Sequence, residues 1–330
     1  MYQVLTNQGD PFIYMTPDGN RWYWYDPNSK PLGAGAMGTV YLGYDLNTRE
    51  QIAIKRVRDE YANNPEIRQR AINEAHLIFY HPHIVKMLGV CTESPDRGPI
   101  FILSEFIPGQ TIEDFAKNTL VYLSPQEKVT RILELTIPLL DAIQVLHDSG
   151  VIHRDIKPSN IMVETDGNCK LMDLGIAKTL STGFSHRTVG FIGTTQYAAP
   201  ELLVGNGQVS TGDYRVDIYA FGVTIFELIS GENPFDAPSQ AEVMIKQAKA
   251  ELPPSPAVPS RLLAILRKAT AKRREERYQS AMQMKNALYE YLTSGSKMKI
   301  NNRPMITAFI VMGVLSIPWM IALINIYNNM

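Results

Sequence analysis

The sequence predicts an α+β protein: a strand-rich first part of about a hundred residues, a helical second part, and one hydrophobic C-terminal helix. Three observations carry this. Short aromatic and β-branched runs separated by turn residues extend to Phe106. After Gly109 the apolar residues recur with helical period. From Pro304 to Met330 there is no charged side chain. The bulk composition agrees, since 45% hydrophobic and 20% charged residues in a 330-residue chain can bury a core and do not suit a disordered one. A net charge of -1 supplies no basic field, so nucleic acid is not expected as a partner. Cys91 and Cys169 could form one bridge, but two cysteines are read as reduced thiols of a cytosolic domain. No CxxC or HExxH occurs, which argues against structural zinc.

Taken in order, Phe12–Thr16 and Arg21–Tyr25 read as a hairpin across Pro17-Asp18-Gly19-Asn20. Val40–Tyr44 and Gln51–Val57 pair across Asp45–Glu50. Pro65–Tyr80 carries a helix pattern, with proline in the first turn and Ile67, Ala71, Ile72, Ala75 and Ile78 on one face. Ile84–Cys91 and Ile100–Phe106 are two more strands. Pro125–Ser149 reads as one long helix, and the nearly apolar Val216–Ser230 as a central buried one. Leu252–Ser260, with four prolines, is a bend between helices, and Arg261–Thr270 and Ser280–Leu292 are amphipathic helices.

The N-terminus lacks a basic n-region and an apolar h-region, so no signal peptide is expected. At the other end, Met305–Ile324 is a mostly apolar run of 20 residues, long enough to cross a hydrocarbon core of roughly 30 Å. Lys297, Lys299 and Arg303 precede it, which places the N-terminal bulk in the cytoplasm by the positive-inside rule. The alternative is a buried C-terminal helix. The expected organisation is an extension at 1–21 holding the start of the hairpin, a catalytic unit at 22–292 dividing near 107–108, a linker at 293–303, a transmembrane helix at 304–327 and a tail at 328–330.

Gly33-Ala34-Gly35-Ala36-Met37-Gly38-Thr39-Val40 fits G-x-G-x-x-G-x-V, in which glycines let backbone approach phosphate oxygens. A strand follows instead of a helix, which disfavours a dinucleotide fold, and no G-K-[ST] closes a Walker loop. Lys55 ends an apolar strand seventeen residues after Gly38, within reach of the α and β phosphates. Glu74 lies mid-helix among apolar neighbours, where pairing with Lys55 would neutralise both charges. The segment from His153 to Asn160 matches H-R-D-x-x-x-x-N. Asp155 can orient an attacking hydroxyl and accept its proton, Lys157 can neutralise a transferring phosphoryl group, and Asn160 can bind a metal ion. Asp173, in Asp173-Leu174-Gly175, supplies a carboxylate that can hold the metal bridging the phosphates. Phosphoryl transfer requires positioning and charge neutralisation, and this ordered set provides both.

On these motifs, residues 22–292 resemble the catalytic domain of eukaryotic-type (Hanks-type) Ser/Thr protein kinases, in their bacterial form. The resemblance implies a two-lobed kinase fold with ATP between a β-rich and a helical lobe. Gly33, Gly35, Gly38, Val40, Ala53, Lys55, Glu74, Ser104, Glu105 and Ile107 would bind the nucleotide, with Ser104 as gatekeeper and the hinge after it. The cofactors implied are ATP and magnesium at Asn160 and Asp173, with manganese as the alternative metal. Glu201, in Ala199-Pro200-Glu201, would pair with Arg277, and Asp217 would brace the catalytic loop. Lys157 and Thr194 have the Ser/Thr form, so protein Ser/Thr hydroxyls are the implied acceptors. Arg154 and Lys178 would bind a phosphate on Thr188, added in trans by a second copy held at the same membrane surface. The alternative function is a membrane-tethered pseudokinase acting as a scaffold; the presence of Lys55, Glu74, Asp155, Asn160 and Asp173 argues against it.

Overall fold

The computed structural model describes residues 3–6, 11–35, 38–65, 68–69, 72, 78–92, 94, 97–173, 195–203 and 213–300. The strand-rich part is one sheet built from β1 (Gln3–Thr6), β2 (Ile13–Thr16), β3 (Tyr23–Tyr25), β4 (Gly33–Ala34), β5 (Gly38–Asp45), β6 (Gln51–Val57), β7 (Met87–Thr92) and β8 (Ile100–Glu105). Its order is β1-β2-β3-β5-β6-β8-β7, with β4 pairing β5, and all described pairs are antiparallel. Aspartates set the turns. Asp18 Oδ1 accepts from the Asn20 and Arg21 amides while Gly19 takes φ 81°, and Asp45 Oδ1 accepts from the Asn47 and Thr48 amides.

Strand alternation gives the sheet two faces. Ile52, Ile54, Phe101 and Leu103 point one way and are buried with Met15, Tyr23 and Tyr25 of the N-terminal strands. Val57, Ile100 and Ile102 point the other way, into a second cluster with Val85, Met87 and Val90. The expected hairpin is present, and β1, which was not anticipated, adds a further strand to it. The first and last strands of the order, β1 and β7, come close, so the sheet curls nearly onto itself. Gly89 lies at that seam with φ +138°, and a Cβ there would meet the Pro17 Cβ at 2.5 Å. Of the helix expected over 65–80, the described residues 65, 68, 69 and 72 are helical, and 78–80 are not.

The second part is helical, as expected, around the Arg215–Ser230 helix, whose residues 216–226 are all buried. One correction concerns Pro125–Ser149, which forms two helices, Pro125–Thr136 and Leu139–Asp148. Pro138 separates them because it has no N–H to donate to the preceding turn. A capping box starts the first: Ser124 Oγ accepts from the Glu127 amide and the Glu127 carboxylate accepts from the Ser124 amide. Helices Ile112–Asn118 and Gln240–Lys249 were not anticipated, and the Ala281–Ile300 helix runs through much of the stretch expected as a linker. A small sheet, β11 (Cys169–Leu171), β10 (Ile161–Glu164) and β9 (Gly109–Thr111), lies at the junction of the two parts. The transmembrane expectation over 304–327 lies outside the described residues, and among the described residues no helix is long and apolar enough to cross a membrane. Both cysteines are free and buried, and burial pushes each thiol well up.

Candidate active site

The catalytic loop, 151–157, lies between the Leu139–Asp148 helix and a short 3-10 turn at Pro158–Asn160. Its shape is held from below by Asp217 of the central helix, whose side chain is fully buried. Asp217 Oδ2 accepts from the His153 amide and Oδ1 from the Arg154 amide, both at 2.8 Å. His147 Nε2 also donates to Oδ2, at 2.8 Å. Desolvation opposes charge on this carboxyl, but the His147 contact above all, with the Arg154 amide, outweighs it and holds its pKa below the usual carboxylate range. Asp217, expected to brace the catalytic loop, thus bonds two of its amides; His147 as its third partner was not anticipated.

His153 is buried, and burial depresses its pKa, so the ring is neutral at pH 7. Its bonds define the tautomer: Nε2–H donates to the Met172 carbonyl at 3.1 Å, and Nδ1 accepts from the Asp155 amide at 3.3 Å. The Met172 amide in turn donates to the Asn160 carbonyl at 2.9 Å. These bonds tie the catalytic loop to the strand end that carries Asp173. Lys157 Nζ lies 3.4 Å from Asp155 Oδ1. Asn160 Nδ2 donates to the Asp155 carbonyl at 2.9 Å, which fixes the amide and leaves Oδ1 as its oxygen for a hard cation.

From the other lobe, Lys55 on β6 reaches Asp173 Oδ1 at 2.9 Å. Asp173 lies deep between the lobes, where desolvation disfavours charge, yet its side chain is 48% exposed to the cleft. Lys55 first, with Lys157 behind it, outweighs desolvation and holds the carboxyl below its ordinary pKa. The expected Lys55–Glu74 pair cannot be placed, because Glu74 lies outside the described residues; so do Lys178, Thr188 and Thr194. Oxygen donors from Asn160 and Asp173 beside a lysine are the chemistry that magnesium bound to a polyphosphate requires, so the donor set fits the implied metal and ATP.

The strand register places Val40 opposite Lys55 and Ala53 opposite Ser104, so Val40, Ala53, Lys55 and Ser104 share the cleft-facing side of the sheet. Gly33 and Gly35 have open space where a Cβ would stand. Gly38 has a different reason to be glycine: a Cβ there would meet the Arg56 carbonyl oxygen of the next strand at 2.3 Å. At the hinge, Glu105 Oε1 accepts from the Lys86 amide and from Lys170 Nζ on β11, each at 2.9 Å. The side chain therefore ties the lobes together, and the Glu105 amide donates back to the Lys86 carbonyl at 2.9 Å. Glu201 and Arg277 pair as expected. The Arg277 guanidinium is completely buried, bonds both carboxylate oxygens at 2.6 and 2.8 Å, and gives its other donors to the carbonyls of Ala271, Arg215 and Lys272.

Comparison with known proteins agrees with this geometry. The protein kinase domain profile matches residues 27–289. The chain is 34% identical over 259 residues to the serine/threonine-protein kinase PrkC of Bacillus subtilis (strain 168), covering 77% of this chain and 38% of that protein. It is 33% identical over 264 residues to the serine/threonine-protein kinase PknB of Mycobacterium leprae (strain TN), and 35% identical over 265 residues to PknB of Mycolicibacterium smegmatis, in each case over 77% of this chain and 41% of the relative. The aligned region thus spans about two fifths of these relatives' length. The profile begins after β3, so the strands 3–6, 13–16 and 23–25 lie outside the matched residues. With the catalytic loop braced by Asp217, the cleft pair Lys55–Asp173 and the Glu201–Arg277 fork in place, the chain belongs to the protein kinase family.

Proposed function

We propose that the protein is a serine/threonine kinase that transfers the γ-phosphoryl group of ATP to Ser or Thr hydroxyls of proteins. The observation that carries this is the convergence of Lys55, Asp155, Lys157, Asn160 and Asp173 from three separate stretches of chain, each with a partner that fixes its position. The acceptor oxygen forms a bond to the γ-phosphorus, the bond from that phosphorus to the β–γ bridging oxygen breaks, ADP leaves, and Asp155 takes the hydroxyl proton. Lys157 is placed beside Asp155 to offset charge on the moving group. Bound magnesium would supply charge neutralisation at the phosphates; Asn160 and Asp173 are the residues to hold it. The Ser/Thr preference rests on Lys157 and on the names of the relatives.

Two finer parts of the proposal rest on sequence. The uncharged run after Arg303 would anchor the chain with the kinase domain in the cytoplasm, favouring a bacterial inner membrane. Neighbouring copies would then phosphorylate Thr188 in trans, with Arg154 and Lys178 receiving the phosphate. The central test is transfer from labelled ATP to protein, with phosphoamino-acid analysis, for wild type and Asp155→Asn. Label on Ser or Thr that disappears in the mutant is expected; nucleotide binding without transfer in both proteins overturns the proposal. Membrane fractionation of the full chain against residues 1–298 tests the anchor, and a phosphopeptide map of Thr188→Ala tests the loop site.

A further inference from the structure

A buried polar chain lies outside the phosphoryl-transfer residues. Gln247, on the Gln240–Lys249 helix, and Tyr219, on the central helix, are both 0% exposed. Gln247 Nε2 donates to the carbonyls of Thr195, at 3.3 Å, and Gln196. Carbonyls only accept, so this end fixes the direction of every bond behind it. Gln247 Oε1 must accept, and the Tyr219 hydroxyl donates to it. Tyr219 Oη must then accept, and Lys272 Nζ donates to it at 2.9 Å. The Lys272 ammonium also stands over the rings of Phe235, at 4.5 Å, and Tyr219, at 5.2 Å. It forms no ion pair among the described residues, and burial, then the nearby Arg277 guanidinium, lower its pKa to about 8 against the opposing pull of Glu251. Among the described residues, the hydrogen bonds of this chain run between its own members and to those two carbonyls.

Burying an amide, a phenol and an ammonium is costly, and apolar side chains of the same size could pack two helices as well. What apolar side chains could not do is hold main-chain carbonyls in place. The two carbonyls held here follow directly on Thr194, the residue expected to meet Asp155 and Lys157, and precede Glu201 of the Arg277 fork. We infer that Gln247 is a positioning residue for the protein acceptor: its amide fixes the Thr195–Gln196 backbone, Tyr219 and Lys272 fix Gln247, and the chain sets where the acceptor segment lies relative to Asp155. This rests on the kinase reading. It names a residue that governs the acceptor and leaves the nucleotide alone.

The test uses the full chain in detergent micelles, a degenerate Ser/Thr peptide library, and the best peptide found in it. Gln247→Leu removes both carbonyl contacts with little change of volume, and Lys272→Met breaks the chain at its far end. For Gln247→Leu, kcat/KM for the peptide is expected to fall about 10- to 100-fold, as for a small misplacement of a reactant. The KM for ATP and the acceptor-free ATP hydrolysis rate should stay within twofold. Lys272→Met should show the same split with a smaller loss, and Lys272→Arg should recover most of it. If Gln247→Leu does not fold, the Lys272 pair decides alone. Equal losses of peptide transfer and ATP hydrolysis, or an unchanged peptide kcat/KM, overturn the inference and leave the kinase reading intact. A wild-type chain that hydrolyses ATP but phosphorylates no peptide or protein overturns both.

Discussion

Replacing Asp217 tests whether the catalytic loop is held by one buried carboxylate. Asp217→Ala leaves three donors without their acceptor in a site closed to water: the His153 amide, the Arg154 amide and His147 Nε2. Each orphaned donor costs about 1–3 kcal/mol, and stripping one partner from a buried pair costs about 3–5 kcal/mol, so a loss of about 3–5 kcal/mol is the conservative figure. Asp217→Asn is milder. With its oxygen at the Oδ2 position it still serves His153 and His147, but its NH2 then faces the Arg154 N–H, donor against donor. One charge-assisted bond is lost, about 1.5–3 kcal/mol. For a domain of this size each kcal/mol shifts the melting midpoint by about 2–4 °C, so Asn should lower Tm by about 3–12 °C and Ala by more. The loop that moves carries Asp155, and kcat should fall by about 100-fold in the Asn variant. pH supplies a second readout. A carboxyl whose folded pKa is depressed contributes its stability fully above the ordinary carboxylate range and loses it as pH falls through the folded value. The stability gap between wild type and Asp217→Asn should therefore be constant near neutrality and close in acid. An Asn variant within 2 °C of wild type, with kcat within twofold, would refute the reasoning.

Other outcomes follow from the same geometry. Asp155→Asn should reduce phosphoryl transfer by about 10²–10⁴-fold while nucleotide affinity, measured by fluorescence titration, stays within twofold. Arg277→Met strands the Glu201 carboxylate and three carbonyls, and should cost about 3–5 kcal/mol in a melting assay. Deleting residues 1–20 removes β1 and β2 from the face formed by Tyr25, Ile54, Phe101 and Leu103; at about 1.5–3 kcal/mol per buried side chain re-exposed, amide exchange in β6 and β8 should accelerate sharply while the helical part stays protected.

The sequence disclosed most about the parts of the site that are close along the chain. Asp155, Lys157 and Asn160 fall within one short window that matches H-R-D-x-x-x-x-N, and the structure brings them together. Glu201 with Arg277, and Asp217 under the loop, were foreseen through the family resemblance, and the geometry agrees. The role of Gln247 could not be foreseen, because one glutamine in an amphipathic helix gives no sign that its amide will be fully buried against a distant backbone. For Gly38 the sequence offered only phosphate approach; the close neighbour Arg56 on the adjoining strand is a contact that appears only once the strand register is known. The break at Pro138 was missed for a physical reason. Ile137 and Pro138 keep helical dihedrals, so the apolar stripe passes through the break without losing phase. The linker was misread because Thr293-Ser294-Gly295-Ser296 resembles a helix end in composition, yet one glycine costs only about 1 kcal/mol and the helix continues.

Backbone conformation shows how far the site depends on distant residues. Three described non-glycine residues have positive φ; Arg49 lies in a surface turn, and the other two are Arg154 of the catalytic loop, at 60°, and Asp173 just after β11, at 47°. A left-handed conformation costs an ordinary residue roughly 1–2 kcal/mol, so neither segment would choose this shape alone. What holds Arg154 is its amide bond to Asp217 on the central helix. What holds Asp173 is Lys55 of the other lobe on one side and the His153–Met172–Asn160 bonds on the other. The motif around Asp155 reads as local in the sequence, but its working shape is imposed by partners tens of residues away. The cost of the two strained residues is met by the large helical core beneath Asp217, which is why the phosphoryl-transfer residues require the whole domain.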